Sequence, residues 1–154
     1  MQNRFTNEKC SHDQKVGETN VEGTNHKGSM TLLNDWGSDL YSVTIRHRRG
    51  NDPTRQEEKT FYNVTAGSLL GPVDITYTTG IGSPFDYWWV KVVLPSGVVY
   101  QCKDSFYCYI DSSDDGKVKL RIDGEDRQLY VSFSKSSGCT VDLLVSPGEE
   151  NNII

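Results

Sequence analysis

No apolar run in this 154-residue chain approaches the roughly 18 residues that cross a bilayer as a helix. The first twenty residues, MQNRFTNEKCSHDQKVGETN, also lack the apolar centre that a secretory signal carries. Positive charge is scarce. Sixteen Lys and Arg stand against 21 Asp and Glu, a net charge of −5. Phosphate contacts need a basic surplus, so a general nucleic-acid binder is excluded, and non-specific adhesion to anionic membranes is disfavoured. Catalytic templates are missing too: there is no G-x-S-x-G, P-loop, H-E-x-x-H or G-x-G-x-x-G. The three histidines are scattered. With nothing arguing for an enzyme, the expectation is a non-enzymatic protein without a bound cofactor.

Cysteine is sparse and unpatterned. Cys10, Cys102, Cys108 and Cys139 form no C-x-x-C and meet no paired histidines, so no zinc site is read from them. Cys10 and His12 alone cannot close a metal site. The compartment stays open between cytosolic and secreted.

What the chain does have is alternation. From Ser29 onward apolar and polar residues repeat with period two, the signature of strands with one buried face. Met30 and Leu32 begin it, and Tyr41, Val43, Ile45 and His47 share one face of the next segment. Later segments read the same way, through Val73, Ile75 and Tyr77, Val118, Leu120 and Ile122, and Leu129, Val131 and Phe133. Turn signals separate them: NDWGSD, GNDPT, AGS, PSG, DSSDDG, the Asp123-Gly124 pair and SSG. The sum is an all-β chain, an antiparallel β-sandwich of about nine or ten short strands. The polar residues 1–28 read as a disordered or loosely docked lead, 29–146 as the domain, and 147–154 as a flexible tail.

The organising stretch is GIGSPFDYWWVKVVL, residues 80–94. Adjacent strand residues face opposite ways, so Trp88, in phase with Val90, Val92 and Leu94, belongs to the core. Trp89, in phase with Tyr87 and Lys91, faces outward. Tyr107, Tyr109 and Tyr130 also fall on polar faces, and together these five aromatics suit a wet recognition surface for a lipid headgroup or a glycan. The Gly/Pro-rich loop 79–85 adjoins them. Arg46 and Arg48 share a face and could clamp an anion, unless Asp52, Glu57 and Glu58 neutralise them. Cys102, Cys108 and Cys139 take inward parity, so Cys139 could bridge to either of the other two. Asp111, Asp114 and Asp115 of DSSDDG resemble a calcium loop, but the twelfth position is Ile122 rather than an EF-hand glutamate, so calcium is a weak candidate. Asn63-Val64-Thr65 is a formal glycosylation sequon that matters only in a secreted chain.

KTFYNVTAG, TYTTGIGSPFDYWWV, QCKDSFYC and SGCTVDLL together resemble the Up-regulated in Daf domain family, small β domains of fungi and nematodes. The similarity spans roughly residues 29–145 and rests on D-Y-W-W-V with the later C-x5-C and S-G-C. That family has no settled biochemical activity, so the resemblance implies no catalytic residues. Over about ten residues, SPFDY and WWVKV resemble the aromatic headgroup region of actinoporin-like cytolysins and fungal fruit-body lectins. That likeness implies a membrane surface or glycan as partner. The amphipathic N-terminal helix of such pore formers has no counterpart here. The competing expectation is a structural or defence-type interaction domain that self-associates through the same aromatics.

Overall fold

The computed structural model describes residues 23–146. The expected lead up to residue 22, with Cys10 and His12, and the expected tail lie outside the described residues. Ten strands form the domain: β1 (Thr24–Asp35), β2 (Leu40–Arg49), β3 (Gln56–Val64), β4 (Leu69–Thr79), β5 (Asp86–Val93), β6 (Val99–Gln101), β7 (Lys117–Asp123), β8 (Gln128–Ser132), β9 (Cys139–Asp142) and β10 (Leu144–Val145). They make two five-stranded sheets, β4-β1-β7-β8-β9 and β10-β6-β5-β2-β3. The β-sandwich expected from the alternation is the fold.

Three details depart from the expectations. β1 starts at Thr24, so residues 24–28 are strand rather than lead; their polar side chains conceal a ladder to β4 running from Thr24↔Thr79 to Gly28↔Ile75. The pairing of β1 with β7 is parallel, Ser29↔Lys117 to Asp35↔Asp123, whereas the other ladders are antiparallel. Tyr41 does not share the buried face of Val43 and Ile45. It is 54% exposed while Leu40 turns inward, because opposite it Asn63 takes a left-handed φ of 53° and interrupts the alternation.

The core lies between the sheets. Met30, Leu32, Val118, Leu120, Ile122, Leu129 and Val131 from one sheet meet Val43, Ile45, Trp88, Val90 and Val92 from the other. Trp88 is fully buried and its indole N–H donates to the Cys108 carbonyl at 2.8 Å. That bond satisfies the one polar atom of a ring whose burial is otherwise purely apolar.

Cys139 bonds Cys108, with Cα atoms 6.1 Å apart. The Phe106–Cys108 segment runs beside the start of β5, since Trp88 N–H donates to Phe106 O and Cys108 N–H to Asp86 O. The bridge therefore ties the β5 side of one sheet to edge strand β9 of the other. Cys102, the other partner expected for Cys139, is a free and buried thiol. Burial is the main influence on it and pushes its pKa up to about 11. Only the thiolate is reactive. Cys102 should therefore resist maleimide labelling in the folded protein and label on denaturation; peptide mapping of both samples checks this.

Candidate functional site

β2 and β5 lie side by side, and their register fixes what the outer face of the sheet displays. Arg46 stands opposite Trp89 and Arg48 opposite Tyr87. Sequence parity alone put these four residues on outward faces; the pairing makes them one patch. The Arg46 guanidinium lies over the Trp89 ring, 4.7 Å from its centroid. Tyr107 bridges to Tyr87 across the sheet edge, with ring centroids 5.6 Å apart. Behind them the buried Phe85 stacks on Tyr107 at 4.7 Å and on Tyr109 at 5.4 Å. A continuous aromatic array results, half-buried rather than fully open.

Tyr130 is not part of it. It belongs to β8 in the other sheet, where the Arg121 guanidinium covers its ring at 4.0 Å and its hydroxyl donates to Asp126. Period-two reasoning assigns a face to each strand but not which sheet the strand joins.

The arginines are neutralised, though not by the residues expected. Arg46 Nη2 bonds Asp104 Oδ1 at 2.5 Å, and Arg48 Nη1 lies 3.7 Å from Asp104 Oδ2. Asp52 instead caps its own turn through Thr54. Glu57 is engaged by His47 and by Thr76 N–H. The hydrogen bond from Arg46 is the main reason the Asp104 carboxyl is held below its ordinary range. Arg46 is only 7% exposed, and its Nε has no hydrogen-bond partner. Asp104 is 61% exposed. A deep cation thus sits under a solvent-facing carboxylate. Asp104 has no sequence signal, because it lies in a loop without periodicity.

The loop between β4 and β5 adds an element that alternation also missed. Ile81 is 56% exposed, flanked by Gly80 and Gly82, whose φ values of 108° and 82° suit glycine. The loop leads into Phe85 and Asp86 at the end of the sheet that carries Tyr87 and Arg48.

Below the outer face lies a buried polar group. His47 Nδ1 bonds Glu57 at 2.7 Å and Nε2 bonds Asp86 at 2.8 Å, with the ring wholly buried against Trp88. Asp86 also accepts from Ile110 N–H, and Glu57 from Thr76 N–H in the opposite sheet. The ring has no solvent access, so this network is structural.

The three aspartates of DSSDDG are occupied by protein donors. Asp114 accepts from Asp111 N–H, Lys135 N–H and Ser136 N–H and hydroxyl. Asp111 accepts from Ser113, and Asp115 from Lys117 N–H. Among the described residues no group of three or more His, Cys, Asp or Glu could hold a metal ion. The geometry is that of a turn locked to the 134–136 segment.

No protein-family model matches the chain, and no curated protein sequence matches it significantly. Fold and site together define an all-β sandwich with an arginine–aromatic outer face.

Proposed function

We propose that this protein is a non-enzymatic binding module that recognises a membrane lipid headgroup or a glycan through Tyr87, Trp89, Tyr107 and Tyr109, with Arg46 and Arg48. The observation that carries the reading is the stacking of a buried arginine on Trp89, beside a tyrosine array, on one side of one sheet. Stacked cation and ring contribute about 0.5–1 kcal/mol when exposed and about 2 kcal/mol when desolvated, and the same surface offers a flat apolar face with polar edges. The exposed Ile81 on the adjoining loop favours the membrane surface, since a headgroup-binding face gains from one apolar side chain that enters the acyl boundary.

Co-sedimentation with neutral, sphingolipid-containing and anionic vesicles tests this, alongside a screen of soluble glycans. Binding with a tryptophan blue shift is expected. Trp89→Ala should weaken it at least tenfold, about 1.4 kcal/mol, and Ile81→Asp should weaken vesicle binding while sparing soluble glycans. Unchanged affinity in both Trp89→Ala and Tyr87→Ala variants would sink the proposal. Concentration-dependent sedimentation lost in the same variants would support the self-association reading instead.

A further inference from the structure

We propose that Asn63 is an N-glycosylation site, and that the cleft beside Tyr41 and Tyr62 seats the first sugars of the attached chain. Sequence, fold and surroundings converge on it. Asn63-Val64-Thr65 is the single N-x-S/T sequence in the chain. The fold places it at the exposed end of β3, where Asn63 turns into the left-handed region. Asn63 is exposed to solvent. The Cys108–Cys139 bridge is of the kind that persists in oxidising compartments, among them the ER lumen, where asparagine-linked glycans are added.

The surroundings of the amide point the same way. Tyr41 and Tyr62 are 54% and 63% exposed and meet edge to face at 5.9 Å. Among the described residues both rings stay open to solvent. Asn63 lines a cleft of about 430 Å³ together with Asp39, Tyr41, Thr65 and Pro95. Exposed tyrosine rings with polar neighbours are a platform for the apolar face of a sugar ring. A covalently attached glycan is the occupant that the position of Asn63, within the cleft itself, specifies. β3 is also an edge strand, and a bulky glycan at its end would hinder strand addition there.

The chemistry is a glycosyl transfer. A lipid-linked oligosaccharide diphosphate supplies the sugar. Its anomeric carbon forms a bond to Asn63 Nδ2, which gives up a proton, and the lipid diphosphate leaves. The site is independent of the arginine–aromatic face. Along β2, Leu40 beside the cleft and Arg48 beside Tyr87 are eight residues apart, roughly 26 Å at strand rise. The glycan and the proposed ligand therefore do not compete.

The full chain would be expressed behind a cleavable secretion signal in eukaryotic cells, and the secreted and cell-retained fractions analysed by intact mass. A discrete mass increase is expected, removed by an amidase specific for asparagine-linked glycans, with Asn63 converted to aspartate in the mapped peptide. Asn63→Gln and Thr65→Ala should each abolish it. In Tyr41→Ala and Tyr62→Ala the glycan should still attach but be trimmed several-fold faster by exoglycosidases. Disulfide-bonded protein with unmodified Asn63 in both fractions would overturn the site. Unchanged trimming would overturn the seating of the sugars in the cleft. Vesicle binding reads out different residues, so neither result decides the other.

Discussion

His47→Ala is expected to destabilise the fold by about 3–5 kcal/mol, the range for removing one partner from a buried charged network. The reason is what remains. Asp86 is 1% exposed, and without the imidazole its Oδ1 faces the Trp88 side of the core with no donor. Glu57 has a milder fate, because its carboxylate is 24% exposed and can turn to water. His47→Gln, which keeps a donor towards one carboxylate, should recover part of the loss. Urea denaturation of the three proteins reads the difference directly.

The same residue gives the fold a pH dependence of definite sign. Burial, the largest single influence on His47, lowers its pKa; the hydrogen bonds and charges of Asp86 and Glu57 together outweigh it, and the net shift is upward from 6.5. A raised folded value means that the contribution is fully present below the unfolded pKa. It is then lost as pH rises through the folded value. Wild-type stability should therefore decline through a window beginning near pH 6.5 and extending above it. His47→Ala should lack that component of the decline. A wild type whose stability rises across the window would contradict a cationic His47.

The second large effect is expected from the disulfide. Cys108 and Cys139 are 31 residues apart, and closing a loop of that length removes about 3.5–4 kcal/mol of unfolded-state entropy in the chain-entropy model. Cys139→Ser should lower stability by about 2–4 kcal/mol. The loss should appear at the β8–β9 edge, since β9 is a four-residue edge strand whose ladder runs to β8 on one side alone. Hydrogen exchange should show β9 opening first, while the Met30–Leu32 region of β1 keeps its protection. Equal destabilisation of every amide would mean that the edge does not open independently.

Alternation made the sandwich legible because most strands have one dry face. It separated Trp88 from Trp89 and placed Cys108 and Cys139 inward. It failed where a face is not simply wet or dry. Residues 24–28 carry polar side chains on a backbone paired with β4, so their strand character lies in hydrogen bonds that composition does not record. Tyr41 reads as inward because nothing in its own segment announces the left-handed Asn63 opposite. Arg46, Arg48, Tyr87 and Trp89 were each readable as outward, but their meeting depends on the β2–β5 register, and the exclusion of Tyr130 depends on strand order. Both are long-range facts. Asp104 and Ile81 sit in loops, where no periodicity exists to be read.

The parallel ladder between β1 and β7 also orders events in time. The strand that begins at residue 24 has its partner at residues 117–123, and it lies inside its sheet, between β4 and β7. Until that late segment has left the ribosome, β1 can pair only with β4 and shows a bare edge. Synthesis must therefore carry most of the chain as an unfinished sheet, and contacts this distant in sequence close slowly. A nascent chain halted before Lys117 would be a substrate for chaperones rather than a smaller version of the domain.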